Sequence, residues 1–276
     1  MITLKEIGYT GRLGNQMFMY ATAFAVAKEK GYTLGIFEDN MKIWKGDGCL
    51  DLGTNEWIPY VCELDKFKIS CHLISCHLTY KWEPKHQYTE TSFNFQPEIF
   101  DIKDDTNLSG YFQSYKYFDK YREEIIEEFT PKRDTGWVGK DKYDGLISLH
   151  VRRGDYVGHP GFPTIDQTYI IKALKEVEFA NHRLVIFSDD INWCKQMFAN
   201  DERITFFSNT NDTTVDAVTE LWLMSQCDHN IISNSSYSWW AAYLNANPNK
   251  KVIAPKKWFA DDRDTTDLCP PDWIRI

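Results

Sequence analysis

What the chain lacks narrows the reading first. Its seven cysteines, Cys49, Cys62, Cys71, Cys76, Cys194, Cys227 and Cys269, are odd in number and form no Cys-x-x-Cys pair. That pattern gives neither a disulfide framework nor a zinc knuckle, and all seven read as reduced thiols of a cytoplasmic protein. No basic stretch followed by an apolar core opens the chain, as an export signal would. The densest early apolar run, residues 20–27, is far too short to cross a bilayer. The triplets Asn107-Leu108-Ser109 and Asn234-Ser235-Ser236 match the glycosylation pattern and, without an export signal, read as coincidence. Positive charge is also short: 31 Lys and Arg against 40 Asp and Glu leave a net −9, which argues against a nucleic-acid partner. The G-x-G-x-x-G dinucleotide fingerprint is missing. Asp262-Arg263-Asp264 has the outline of an Asp-x-Asp metal site but lies in a polar tail, so it reads as solvated charge and no metal ligand is assigned.

What is present describes a globular chain. With 276 residues, 43% of them hydrophobic, it can bury a sizeable core as one large domain or two small ones. The early residues 1–9 read as a strand, followed by the loop Thr10-Gly11-Arg12-Leu13-Gly14-Asn15-Gln16. A helical pattern then runs over 15–30, with Gly31 as its stop, and a second strand over 33–37. This is a β-loop-α-β unit whose glycine loop opens a helix, a ready anion site; the same glycines would also serve simply to tighten the turn. Residues 38–107 break any long periodicity and suit an irregular, aromatic-rich mouth that selects an acceptor. Asp119 can cap a helix reaching Phe129, Pro131 ends it, and 131–143 is the best linker.

Beyond the linker, strand-like runs at 146–151, 183–187, 204–207, 230–233 and 251–254 alternate with helical patterns at 164–177, 191–198, 215–227 and 237–244. Thr164-Ile165-Asp166-Gln167 reads as a capping box for the first of these helices. Such alternation predicts a parallel sheet with helices on its faces. The residues that follow each strand fall on one carboxyl edge: Arg152-Arg153-Gly154-Asp155, Ser188-Asp189-Asp190, Ser208-Asn209, Asn234-Ser235-Ser236 and Pro255-Lys256-Lys257-Trp258. Ligands bind at such edges. Guanidinium forks and helix-start amides suit phosphates, and carboxylates suit base or ribose donors. Helix capping alone would explain the serines and aspartates, but not two adjacent arginines.

Four segments carry a resemblance: Gly11-Arg12-Leu13-Gly14-Asn15-Gln16-Met17-Phe18, Gly110-Tyr111-Phe112-Gln113-Ser114, His150-Val151-Arg152-Arg153-Gly154-Asp155-Tyr156, and Asn234-Ser235-Ser236-Tyr237-Ser238-Trp239-Trp240. With them the chain resembles the family 11 glycosyltransferases, the alpha-1,2-fucosyltransferases, from residue 11 to its end. Many bacterial relatives carry Gly-Gly-Leu-Gly-Asn-Gln, where this chain has Arg12, as animal relatives do. The resemblance implies an α/β fold of GT-B type: two Rossmann-like lobes with mostly parallel sheets facing a cleft, 1–143 on the acceptor side and 144–276 binding the donor. It implies transfer of L-fucose from GDP-β-L-fucose to the 2-hydroxyl of a terminal β-galactoside, with inversion and without a metal or other cofactor. The implied partners are GDP-fucose and a galactose-terminated oligosaccharide or glycolipid, with peripheral membrane association left open.

Carried over residue by residue, the resemblance puts His150 and Asp189 on guanine, Arg152 on the β-phosphate, and the Asn234, Ser235 and Ser236 loop on the nucleotide. Arg153 and the loop residues Gly11, Gly14 and Asn15 complete the expected nucleotide-binding set. Arg152 and Asp155 are the expected catalytic residues. Asp155 serves either as the base for the acceptor hydroxyl or as the group that orients Arg152 or Arg153; His159 and Asp166 are further candidates for the base. Three other readings stay open: an NAD-dependent enzyme, a Trp-rich sugar-binding protein without catalysis, and a GT-B enzyme using another nucleotide sugar.

Overall fold

The structure is a computed structural model that describes residues 1–41, 48–51, 56–59, 62–75, 83–133, 145–198, 201–207 and 216–276. Two sheets, each wholly parallel, hold eleven of its strands. They belong to two compact units: Met1–Lys132 with Asp264–Pro270, and Arg133–Arg263 with Pro271–Ile276. The expected boundary at 143/144 lies outside the described residues, as does most of the expected linker.

In the first unit, strands β1 (Ile2–Thr3), β2 (Leu34–Phe37), β5 (His72–Ile74), β6 (His86–Thr89) and β7 (Thr106–Ser109) stand in the order β5-β2-β1-β7-β6; β3 (Gly48–Asp51) and β4 (Glu56–Pro59) form a separate antiparallel hairpin. Strand β1 is shorter than residues 1–9 suggested, because the chain turns at Gly8, where φ is +84° and a Cβ would lie 2.5 Å from the Asn40 carbonyl oxygen. Helix α1 (Leu13–Lys30) is buried on most of its surface and ends at Gly31, whose left-handed φ of 68° closes the helix. Helix α2 (Arg122–Glu128) is shorter than expected, since residues Asp119–Tyr121 form a 3-10 turn before it. Among the described residues, no helix is long and apolar enough to cross a membrane.

The second unit matches its sequence pattern closely. Strands β8 (Leu146–Val151), β9 (Arg183–Ser188), β10 (Ile204–Phe207), β11 (His229–Ile231), β12 (Val252–Ala254) and β13 (Ile274–Arg275) stand in the order β10-β9-β8-β11-β12-β13. The central β8 is buried from Ile147 to Val151, with Ile147, Leu149 and Val151 on one face and the polar Ser148 and His150 on the other, as a strand covered on both sides allows. Between strands run α3 (Gln167–Glu176), α4 (Ile191–Met197), α5 (Ala217–Ser225) and α6 (Ser236–Leu244). The cap of α3 is Asp166, which accepts from the Tyr169 N–H at 2.7 Å, rather than Thr164. Ile147, Leu149, Val151, Ile170, Ala173, Leu184, Ile186, Ile231 and Ile253 make the core on one side of the sheet. Cys62, Cys71, Cys194, Cys227 and Cys269 are free thiols.

Candidate active site

Because every strand of the second sheet is parallel, the carboxyl ends of β8, β9, β11 and β12 share an edge. The loop after β10, with Ser208 and Asn209, lies outside the described residues. Strand β8 ends at Val151, and Arg152 and Arg153 lead into a single 3-10 turn, Gly154–Tyr156. Arg152 pairs with Asp155 three residues on and, through Nη1, with Asp189 Oδ2 at 2.6 Å, while its guanidinium lies 5.4 Å from the Tyr156 ring centroid. Asp189 Oδ1 accepts from the Arg153 backbone N–H at 2.8 Å. Gly154 makes this approach feasible, since a Cβ there would stand 2.6 Å from Asp189 Oδ2. Arg153 donates from Nε to Asp190 Oδ2 at 3.0 Å and stacks on Trp193 at 4.2 Å, and Asp190 Oδ1 caps α4 by accepting from the Trp193 N–H at 3.1 Å.

These contacts fix both arginines without exhausting them. A guanidinium has five N–H donors, and the two ion pairs of Arg152 engage only two of its nitrogens. Its side chain is 18% exposed, so the fork is held at the margin between core and solvent. The three carboxylates Asp155, Asp189 and Asp190 outnumber the two guanidiniums, so any anion bound here depends on directed N–H donors more than on net charge.

Helix α6 starts beside this loop. Its N-cap Ser235 makes no side-chain bond to the first turn. The Tyr156 hydroxyl donates to the Asn234 carbonyl at 3.4 Å, tying the arginine turn to the start of α6. Asn234 itself is 1% exposed, and its Nδ2 donates to the Pro163 and Trp258 carbonyls at 2.8 and 2.9 Å. Its side chain is a clamp between two loops, and a ligand meets Ser235 and Ser236 more readily than it meets Asn234.

His150 is buried, with Nδ1 2.8 Å from Ser233 Oγ, and burial together with the nearby Arg152 pushes its pKa down to about 3. It is a neutral imidazole at any ordinary pH. The Tyr237 ring packs against it at 5.6 Å, and the Tyr237 hydroxyl donates to the Ala217 carbonyl at 2.6 Å. Beyond Tyr237 lies a residue that the sequence reading missed. Glu220, on α5, is 8% exposed; burial pushes its pKa up to about 7, against a lowering hydrogen bond with Tyr237 and a raising charge on Asp189. The available signal was a lone carboxylate among Val218, Leu221, Leu223 and Met224 on a buried helix.

Gly11, Gly14 and Asn15 belong to the first unit, and the arginine loop belongs to the second. There Gly11 has φ +72°, its carbonyl accepts from Gln16 Nε2 at 3.1 Å, and Asn15 Oδ1 accepts from Gln113 Nε2 at 2.7 Å. His159 accepts the Gly161 N–H at Nδ1 and packs on Phe162, and Asp166 is the α3 cap, so neither contacts the arginines. In the tail, Arg263 pairs with Asp261, and Asp264 accepts from Asn94 Nδ2 at 2.9 Å. Among the described residues, no group of three or more His, Cys, Asp or Glu side chains is placed to hold a metal ion.

Paired guanidiniums and a helix start, on the carboxyl edge of a parallel sheet, make an arrangement that suits an anionic ligand. The model of Glycosyl transferase family 11 matches residues 64–276, and the chain belongs to that family of glycosyltransferases. It is similar to an alpha-1,2-colitosyltransferase of Escherichia coli, 32% identical, with 96% of each chain covered. It is similar as well to galactoside alpha-(1,2)-fucosyltransferase 2 of Rattus norvegicus, 27% identical over 100% of this chain and 77% of that one. Among solved structures, FUT1 of Arabidopsis thaliana, a mutant in complex with GDP, is 13% identical with a TM-score of 0.49, covering 98% of this chain and 74% of that one.

Proposed function

We propose that this glycosyltransferase moves L-fucose from GDP-β-L-fucose to the 2-hydroxyl of a terminal β-galactoside, with inversion and without a metal ion. The observation that carries the reading is the Arg152 fork, fixed by Asp155 and Asp189 beside the start of α6. Breaking the sugar–phosphate bond builds negative charge on the departing diphosphate. Arg152 and Arg153, at the start of α6 with its Ser235 and Ser236, meet that charge as it grows, the work that a divalent cation does in many related reactions. Asp155 then acts chiefly as a positioning residue, because its carboxylate already holds Arg152.

Guanine presents an N1–H and an N2 amine that a carboxylate can accept. Both oxygens of Asp189 face the arginine loop. Glu220 is therefore assigned to guanine beside Asp189, with His150 and Tyr237 next to it as a neutral imidazole and a ring. The galactoside acceptor is supported by the similarity to the rat galactoside alpha-(1,2)-fucosyltransferase 2.

The similarity to a colitosyltransferase favours a second reading, transfer of colitose, which is fucose without its 3-hydroxyl. Both donors carry GDP under these assignments. GDP is expected to stabilise the protein by about 2.7 kcal/mol at a hundredfold excess over its dissociation constant, with ADP and UDP doing far less. An equal thermal shift with UDP would remove the guanine assignment. The ratio of kcat/KM for GDP-fucose and its 3-deoxy analogue then separates fucose from colitose, since a site that hydrogen-bonds a hydroxyl strongly rejects the analogue without it.

A further inference from the structure

The motif Gly110-Tyr111-Phe112 is left unused by the nucleotide site, and it carries the most constrained backbone of the first unit. Gly110 has φ +147°, and a Cβ there would stand 2.4 Å from the Cβ of Glu90. Phe112, fully buried, holds φ at 52°, a left-handed conformation costly for a residue with a large side chain. Between them Tyr111 is 40% exposed, one of few large hydrophobic side chains so open among the described residues. The ring is nonetheless pinned. Its backbone N–H donates to Glu90 Oε2 at 2.8 Å, its hydroxyl hydrogen-bonds the Thr10 side chain, and its Cε1 would lie 2.9 Å from a Cβ on Gly11. Strained backbone is thus spent on presenting an aromatic face to solvent. A purely structural tyrosine would turn that face inward.

Next to this ring stands a carboxylate at the carboxyl edge of the same sheet. Glu6 follows β1, and its two oxygens lie 3.0 and 2.8 Å from Ser109 Oγ at the end of β7. It is close enough to act electrostatically on Tyr111. One serine hydroxyl donates a single hydrogen, and a carboxylate offers about four lone-pair sites, so acceptor capacity remains beside the ring. A pyranose has a matching pattern: one face of C–H groups over an apolar ring, and hydroxyls around the rim.

We propose that Tyr111, Glu6 and Ser109 form the subsite for the acceptor pyranoside, with the sugar's C–H face on Tyr111 and its hydroxyls donating to Glu6. This rests on the reading of the protein as a transferase to a β-galactoside and assigns residues to that acceptor. The first unit would then select the acceptor through the loop after β1 and the corner after β7. The irregular stretch 38–107, expected to do so, contributes Glu90, which holds that corner.

The test is a steady-state comparison of Tyr111→Ala, Tyr111→Phe and Glu6→Gln with the unmodified protein, using methyl β-galactoside as acceptor. Tyr111→Ala is expected to raise the acceptor KM about tenfold or more, through loss of an aromatic contact face, while the KM for GDP-fucose and the thermal shift with GDP stay within about twofold. Tyr111→Phe is expected to restore most of that loss, and Glu6→Gln to raise the acceptor KM with the donor KM again unmoved. An unchanged acceptor KM in a folded Tyr111→Ala protein overturns the subsite. If the unmodified protein transfers nothing from GDP-fucose, the failure belongs to the proposed donor. The subsite is then read by titrating methyl β-galactoside directly, and no binding, or binding equal in Tyr111→Ala, overturns it.

Discussion

Arg152→Lys keeps a positive charge at the end of β8 and removes the planar fork. In the structure the guanidinium spans Asp155 on one nitrogen and Asp189 on another, and still has donors to spare. A lysine ammonium is a point charge with three donors and cannot bridge the two aspartates and a phosphate in one plane. Loss of one such preorganised donor typically lowers turnover about 10²–10³-fold, or roughly 3–4 kcal/mol of transition-state stabilisation. The loss should fall on kcat more than on GDP binding, because the diphosphate charge is greatest as the bond breaks. Stability should change far less. The two ion pairs are partly exposed, at 18% for Arg152 and 26–30% for its partners, so weakening them costs about 1–2 kcal/mol and a melting temperature lowered by a few degrees. Turnover, GDP affinity and melting temperature measured on the same purified variant decide the matter. A lowered melting temperature with normal turnover would show that Arg152 only ties down a turn, and would remove the central cation from the mechanism.

Three further outcomes follow from the same contacts. Asp155→Asn is expected to lower turnover while leaving the pH profile of kcat unchanged, because its carboxylate positions Arg152; loss of the acidic limb would instead identify Asp155 as the base. Asn234→Ala leaves the buried Pro163 and Trp258 carbonyls without their donor, so denaturation should report a loss of about 2 kcal/mol with GDP still binding; weakened GDP affinity at unchanged stability would place Asn234 on the nucleotide. Glu220 must be ionised to accept from guanine, and burial raises its pKa to about 7, so GDP affinity should fall about tenfold per pH unit below that value and lose this slope in Glu220→Gln. The same raised pKa means that the folded state holds the proton where the unfolded state has released it. The contribution of Glu220 to stability is thus fully present below 4.5 and lost as pH rises through about 7, and Glu220→Gln should escape a loss of about 3 kcal/mol at pH 8.

The sequence displayed the second unit almost completely because its strands are rich in apolar and β-branched residues. Leu146–Val151 keeps Ile147, Leu149 and Val151 on one buried face, Ile204–Phe207 is wholly apolar or β-branched, and both appear at the expected residues. The arginine pair was equally visible, since helix caps do not explain it. Its local partner Asp155 was visible too, as a group that could orient Arg152 or Arg153; the pairing with Asp189 was not, because Asp189 is 36 residues from Arg153 and reaches the loop only through the pairing of β8 with β9. Strand β13 went unread, being two residues long and defined only by its place beside β12. In the first unit, β6 is the sequence His-Gln-Tyr-Thr and largely exposed, so it offers no apolar pattern to detect. Glu220 was hidden for the opposite reason: a charged residue on an exposed helix face and one forced into the interior look alike until the packing is known.

Transfer itself is the most direct measurement. Purified protein is incubated with GDP-fucose and methyl β-galactoside, with and without excess EDTA, and the product linkage and anomeric configuration are read by NMR. The expected product carries an α-linked fucose on the galactose 2-hydroxyl, formed at the same rate with chelator. Product formed only from a nucleotide sugar other than a GDP sugar, or turnover abolished by EDTA and restored by manganese, would contradict a donor site built on guanine recognition and the Arg152 fork.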